Sequence, residues 1–503
     1  MKTNRVYRSV FSVTGLLILA KLLGFVKQML VASSFGTTIE TDLINLSQGV
    51  VNDIQYLLAQ SLITAFVSVY IHHRRDGSSD AFAADVLKLF LLLSAALALL
   101  CELFAPWIAR LLAPSYTAEL SLRLCAYLRL FLLALPPLVA ASVFQAILNA
   151  NERFAAGESQ GLSHSVWLIL ILLLWRDRLG IGVLSVSFFA YILWNAVFLG
   201  TLSRPYWRHG LKKPLQSSAV RDLLRMIGPL LLGYSLVSVN QIVDKIIGSG
   251  LGEGAVSAMG YGLVLQTFVA TFIFSFGNIF YPYITQRIAA QEHAGAAHLA
   301  EWTATVLLFV LLPITVLIEV CSADIVTAVF ARGAFNAESV RMTAAALRGY
   351  GFALVPLALR EVYSRVQYGY QDSRHPMINS SLSIGCNIVL SIVLSRFFGI
   401  WGVCFATSAS VFVCSVLNVF SAKRCNAFLR WRAFLPALPF LAAGSVVCYA
   451  LARLGQSLWV GQGAFVRFVL TTLLSGAAYC VICIPLILRL LRNRPSAPTE
   501  RKP

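Results

Sequence analysis

Residues 128–144 read LRLFLLALPPLVAASVF, and residues 347–363 read LRGYGFALVPLALREVY. Aligned, Leu128-Arg129, Ala134-Leu135, Pro137-Leu138 and Val143-Phe144 fall on Leu347-Arg348, Ala353-Leu354, Pro356-Leu357 and Val362-Tyr363, at a constant offset of 219. At the same offset Gly180-Ile181 falls on Gly399-Ile400, and Phe35-Gly36 falls on Leu251-Gly252 at an offset of 216. One shared dipeptide is common by chance, but a series held at one spacing marks an internal repeat.

The medium in which the repeat folds follows from composition. Of 503 residues, 58% are hydrophobic and 12% charged, with a mean hydropathy of +0.76. Soluble domains carry about 25% charged residues, so half that proportion cannot cover a water-facing surface. A soluble enzyme and a disordered or fibrous chain are excluded. Apolar segments lie at about 9–32, 43–71, 84–113, 122–148, 160–175, 180–202, 222–249, 256–286, 301–330, 342–368, 377–397, 400–421, 433–453 and 465–488. A membrane helix needs roughly 20 apolar residues, and spanning strands would instead alternate over about ten. The expectation is an all-α, polytopic membrane protein of about fourteen transmembrane helices. Two six-helix lobes in parallel pseudo-repeat, 1–214 and 215–430, precede two C-terminal helices and a basic tail, 431–503. Parallel repeats of this kind belong to transporters that bind substrate near mid-membrane between their halves.

The net charge of +18 would suggest nucleic acid in a soluble chain. Here the basic residues mark alternate loops: Arg74 and Arg75, Arg153, Arg204 to Lys213, Arg287, Arg374, Lys423 to Arg432, and both termini. Such a pattern identifies cytoplasmic loops, so both termini are expected in the cytoplasm and nucleic acid is not expected as a partner. The first apolar run is interrupted by Lys21 and Lys27 and reads as a retained helix, not a cleaved signal. Cys480 and Cys483 form a CxxC inside a membrane segment with no second pair, which reads as packing.

Charges inside apolar helices cost about 2.5–3.5 kcal/mol each on insertion scales and usually face a cavity or a partner. Lys21 and Lys27 are six residues apart, about 120° out of alignment on a helix. They serve either as fixed positive charges for an anionic head group or as lysines snorkelling to an interface. Asp42 could complement a helix dipole at the start of the second helix. Further in, Asn52, Asp53, Gln55 and Gln60 are too polar to face lipid and read as a cavity lining. Asp244 could couple to a cation or pair structurally with Lys27 or Arg348, and its neighbour Lys245 points about 100° away. Arg129 and Arg348, at equivalent repeat positions, read as structural, while Glu361 and Arg365 have the spacing of a local pair. No nucleotide loop, zinc motif or nucleophile–base constellation is recognisable, so no catalytic residue, cofactor or metal is expected.

From Leu22 to Lys27, from Phe35 to Asp42, at Asn52 and Ala65-Phe66-Val67, and from Val239-Asn240 through Asp244 to Leu251-x-Glu253-Gly254, the chain resembles the MurJ/MviN family. These are bacterial lipid II flippases of the multidrug/oligosaccharidyl-lipid/polysaccharide exporter superfamily. The resemblance implies a pair of lobes alternating between inward and outward openings, a cationic head-group cavity, and a lipid-tail groove involving the last two helices. It places Lys21 and Lys27 where the family has arginines and Asp42 where it has its aspartate. The family's basic residue in helix two is replaced around Gln55-Tyr56, its helix-eight arginine falls at Val264, and Gln28 stands where an aspartate usually follows. Lysine keeps the charge but lacks the planar fork of arginine, so the cationic lining is thinner here.

The expected function is therefore a flippase carrying lipid II, or a similar polyprenyl-pyrophosphate saccharide, from the inner to the outer leaflet for cell wall synthesis. Substrate binding is expected at Lys21, Lys27, Asp42, Asn52 and Gln55. The expected setting is the bacterial inner membrane, with the lipid-linked saccharide, the bilayer and the cell-wall synthesis machinery as partners. The alternatives are an exporter of another lipid-linked oligosaccharide or of drugs, and a non-transporting membrane scaffold.

Overall fold

A computed structural model describes residues 2–75, 77–212, 217–430 and 434–495. Lys213, Arg432, Arg501, Lys502 and the expected lobe boundaries at 214/215 and 430/431 lie at or outside the edges of these residues. Among the described residues every regular element is a helix, as hydrocarbon requires of backbone groups that have no water to bond.

The helices are α1 (Lys2–Phe35), α2 (Ile39–Arg75), α3 (Ser79–Leu112), α4 (Ala118–Leu132), α5 (Leu135–Ala150), α6 (Phe154–Leu179), α7 (Gly182–Ser203) and α8 (Ser217–Ser249). There follow α9 (Ala255–Ala289), α10 (His293–Phe330), α11 (Ala337–Gly351), α12 (Leu354–Gly369), α13 (Arg374–Cys425), α14 (Leu438–Leu458), α15 (Ala464–Ile482) and α16 (Ile484–Arg492). Among the described residues, twelve stretches are long and apolar enough to cross a membrane. The expected fourteen also counts α1 and takes the two arms of α13 separately.

Two expected crossings, 122–148 and 342–368, are each two helices. α4 gives way to α5 at Leu133-Ala134, and α11 to α12 at Phe352-Ala353. Prolines explain the breaks: Pro136 and Pro137 lie in the first turn of α5 and Pro356 in that of α12, where a missing N–H is tolerated. The run at 465–488 likewise divides into α15 and α16 at Cys483, just before Pro485. Conversely, α13 runs for 52 residues, about 78 Å if straight and far longer than a bilayer core. It folds back at Gly399 (φ 56°, ψ −134°). Across the resulting hairpin Ser383 donates to the carbonyl of Ser410 at 2.7 Å, and the Asn379 amide donates to Asn418 Oδ1 at 2.7 Å and Ser421 Oγ at 3.0 Å.

The repeat is visible in backbone geometry. α4 and α11 begin and end 219 residues apart, and so do α5 and α12. Thr117 Oγ1 caps α4 by accepting from Leu120 N, and Asn336 Oδ1 caps α11 by accepting from Ser339 N. Gly180, joining α6 to α7, has φ 51° and ψ −132°, matching Gly399. This region is open to glycine alone without strain. Even the side-chain ion pairs recur: Arg129 of α4 lies 3.8 Å from Glu102 of α3, and Arg348 of α11 lies 2.6 Å from Glu319 of α10.

The chain forms two compact units, Met1–Ser257 and Ala258–Pro503. In the first, α2 is central and packs on α4, α5 and α8, while α1 lies along α6. One apolar cluster gathers Leu43, Leu46, Leu128, Phe131 and Phe188; another gathers Leu62, Phe82, Phe144 and Tyr70, with Phe66 stacked between Tyr70 and Phe82. In the second unit α10 packs on α11, α12, α14 and α15. There the Tyr479 hydroxyl donates to the Phe309 carbonyl at 2.9 Å, its ring fits against Gly444, and the buried Cys483 thiol donates to the Phe440 carbonyl.

Replacing Gly399 with valine forces a β-branched residue into a glycine-only conformation, at a cost of roughly 1–3 kcal/mol. The purified G399V protein should melt several degrees below wild type in detergent. Gly385→Ala, in the regular first arm of the same hairpin with open space at its Cβ, should melt with wild type.

Candidate head-group site

The site begins where α1 meets α6. Gly24 lies over Ser165 and Gly161 over Ala20, and these small residues let the two helices approach closely. At this contact the Lys27 ammonium, half-buried, lies 3.5 Å from Nδ1 of His164. The imidazole is stacked on Tyr191 of α7 at 4.2 Å and meets the edge of Phe188. An ammonium can only donate, so this contact assigns Nδ1 as the acceptor and the ring proton to Nε2 of a neutral imidazole. Lys27 has no ion-pair partner among the described residues. Lys21, a turn and a half earlier, is exposed. As their spacing predicts, the two lysines do not share a face.

α2 carries the remaining expected residues. Asp42 is fully buried; its carboxylate accepts from Ser257 N at 2.8 Å and from Ser257 Oγ at 2.6 Å. Thr41 Oγ1 lies 3.0 Å from the same hydroxyl, and the Asn45 amide donates to it at 3.0 Å. Ser257 is the third residue of α9, so Asp42 lies on the positive, unsatisfied N–H end of that helix. The dipole it complements is thus that of α9 as well as that of its own helix. Here the carboxylate is closed off behind the turn between α8 and α9. That turn is seated by Gly254 (φ 78°), where any Cβ would strike the Thr37 carbonyl, and by Glu253, which accepts from Ile39 N at 3.2 Å.

Deeper along α2, Asn52 is half-buried and the Gln55 amide donates to Ser142 Oγ at 3.4 Å. Asp53, next to Asn52, forms a 2.7 Å ion pair with Lys245 of α8. Gly49 makes this possible, because a Cβ there would stand 2.7 Å from the ammonium. Asp53 and Lys245 both stand out in the sequence as polar intrusions, yet nothing in one helix announces a partner 192 residues away. Asp244 is half-buried on α8 and engages neighbours of its own. Of the partners considered for it, Arg348 is held by Glu319 and Lys27 faces His164.

Sequence reasoning overlooks two contributors. His164 is one imidazole in an apolar run and carries no motif. Ser257 had a signal: it is the mate of Thr41 at the same offset of 216 that relates Phe35-Gly36 to Leu251-Gly252.

In the second unit the polar residues are mostly engaged with one another. Arg365 meets Glu361 at 2.6 Å, the expected local pair, and also bonds Asn278 and covers the Tyr281 ring. Asp324 on α10 is buried under Arg467 of α15, with a 2.6 Å bond from Gln456 of α14. This cluster fastens the last helices to α10. Beside them a cavity of about 420 Å³ is bounded by Glu301, Trp302, Arg430, Leu486 and Arg489.

The family model described as lipid II flippase MurJ matches residues 31–474. The probable lipid II flippase MurJ of Treponema pallidum is 23% identical over 447 residues, covering 84% of this chain and 82% of the relative. The lipid II flippase MurJ of Burkholderia cenocepacia is 23% identical over 410 residues, covering 77% of each. A solved structure of lipid II flippase MurJ in an inward closed conformation superposes with a TM-score of 0.82 at 18% identity, over 95% of this chain and 99% of that one. An inward-facing multidrug transporter of the MATE family gives 0.64 at 15% identity, over 82% and 94%. With a fold shared along nearly its whole length and a family match over most of it, this chain belongs to the lipid II flippase MurJ family.

Proposed function

We propose that this protein carries lipid II from the inner to the outer leaflet of a bacterial cytoplasmic membrane, supplying peptidoglycan synthesis. The observation that carries the reading is Lys27: a cation within a membrane helix, faced by a neutral imidazole instead of a carboxylate. Burying charge is costly, and an unneutralised ammonium at this depth is useful for holding an anion. Lys245 of α8 does not offer the same service, because Asp53 cancels it.

The physical problem is a sugar–pyrophosphate head that cannot cross about 30 Å of hydrocarbon unaided. A polar passage lets the head cross while the polyprenyl tail stays in lipid. We assign Lys27 to the pyrophosphate, with Lys21 as the second cation and Asn52 and Gln55 as hydrogen-bonding partners of the head. Asp42 acts through its bond to Ser257, making and breaking the α2–α9 contact as the site changes access. Asp244 serves as an ion-coupling or structural pairing residue. The lobes that alternate are the two repeats, 1–214 and 215–430, and the helices of 431–503 border the tail. Both termini lie in the cytoplasm, as the basic loops direct. An inside-negative potential then favours outward movement of an anion by about 2.3 kcal/mol per charge per 100 mV. The family's activity is transport, with no covalent chemistry, and the cell-wall synthesis machinery is the natural recipient of the cargo.

Expression in a bacterium depleted of its own lipid II flippase should restore growth. A charge-assisted bond to phosphate is worth about 1.5–3 kcal/mol, so Lys27→Ala at equal membrane abundance should lower complementation by an order of magnitude or more. Absence of rescue by abundant wild-type protein would reject lipid II as the cargo, leaving another lipid-linked oligosaccharide, a drug, or a non-transporting scaffold.

The Asp53–Lys245 pair should behave differently. Removing one partner of a buried pair costs about 3–5 kcal/mol, so Asp53→Leu should lower the melting temperature of the purified protein markedly. The double variant D53L/K245M should recover most of the loss and still complement. If the double variant melted like wild type but failed to complement, Lys245 would belong to the transport site.

A further inference from the structure

We propose that His164 is a positioning residue for the head-group cation: a neutral acceptor that aims the Lys27 ammonium while leaving its charge uncancelled for a phosphate-bearing lipid. The inference rests on the reading of Lys27 given above and goes beyond it by assigning a role on α6.

Lysine is a flexible side chain. Its four-carbon stem has many rotamers, and a ligand that must order them binds more weakly. The Lys27 ammonium is instead met by a ring that cannot swing. His164 is stacked face to face on Tyr191 at 4.2 Å and 27°, and Phe188 closes its edge at 78°. Phe188 and Tyr191 are themselves packed edge to face at 5.4 Å, so the wall of α7 is rigid. The adjacent Ser163 donates to Asn195 Oδ1 at 2.8 Å, fixing α6 against α7 on the next position. The Nδ1 lone pair therefore points at one place, and Lys27 Nζ occupies it.

The choice of a neutral acceptor is the informative part. An aspartate in that position would bind the ammonium more strongly, as Asp53 binds Lys245 at 2.7 Å in the same unit. It would also supply the negative charge that an incoming phosphate must otherwise provide. A neutral imidazole orients the cation and leaves the anion-binding capacity intact. The ligand class selected is a phosphate or pyrophosphate attached to a lipid, and the discriminating property is charge at residue 164 rather than bulk.

Asparagine and aspartate are nearly the same size and differ in charge, so they separate these roles. The test measures binding of fluorescent lipid II, and in parallel of undecaprenyl diphosphate, to the full-length protein in nanodiscs. Wild type, His164→Asn and His164→Asp are each compared with and without Lys27→Ala, with melting temperatures recorded. The expected result is that H164N binds within about three-fold of wild type while H164D binds about ten-fold or more weakly. The gap between them should disappear in the Lys27→Ala background. Equal binding by H164N and H164D, or a gap that survives Lys27→Ala, overturns the assignment. Should H164D not fold, His164→Phe keeps the ring stack and removes the acceptor. It should weaken binding in wild type and have no further effect with Lys27→Ala, since residues acting through one contact are non-additive; an additive loss overturns the proposal. Binding of undecaprenyl diphosphate without lipid II defeats the cargo reading alone, because the His164 comparison is then read on that probe. Binding of neither lipid by wild type defeats both.

Discussion

In hydrocarbon, every polar group the chain brings in must find its partner within the chain, and this constraint organises the molecule. The backbone meets it by making every regular element among the described residues a helix. Several charged side chains meet it through carboxylates: Lys245 by Asp53, Arg467 by Asp324 and Arg365 by Glu361, and, more exposed, Arg129 and Arg348 by Glu102 and Glu319. Lys27 breaks the pattern. Its neighbour satisfies hydrogen bonding but not charge. A half-buried cation left without a carboxylate inside a membrane helix is a structural mark of function, because folding alone would favour neutralising it.

What can be read in advance depends on whether the information is local, periodic or distant. The repeat is legible because the same dipeptides recur at one offset, and α4, α5, α11 and α12 prove to share that offset at both ends. The hairpin at Gly399 is equally legible, since its mate Gly180 sits at a recognisable turn between two apolar runs. The breaks at Leu133-Ala134 and Phe352-Ala353 are not: hydropathy stays high across them, and a Pro in the first turn of a helix looks like a Pro in the middle of a longer one. Pairings across the bundle are out of reach. Asp53 can be recognised as too polar for lipid, yet its match with Lys245 also depends on Gly49 having no side chain. His164 lacks even that degree of warning, because its importance comes entirely from the helix packed beside it.

Asp42 shows how a motif residue acquires a different meaning once its surroundings are known. At the start of α2 it looks like a residue complementing its own helix dipole. In three dimensions its carboxylate is spent on Ser257 at the N-terminus of α9, with Thr41 and Asn45 completing the cluster. Thr41 and Ser257 are mates under the 216-residue offset, so the repeat brings two equivalent positions together at a 3.0 Å contact. Each turn supplies a hydroxyl to the contact, and the Asp42 carboxylate accepts from the one on Ser257.

The lysine that the resemblance places where the family has arginine follows the same energetic logic. Arginine presents a planar fork that carries its own geometry to a phosphate. Lysine presents a point charge whose direction must come from elsewhere. An unguided ammonium would hold an anion weakly and in many orientations. A rigid neutral acceptor on the neighbouring helix restores direction at no cost in charge. In the proposed arrangement α1 supplies the charge and α6, braced by Tyr191 and Phe188, supplies the aim.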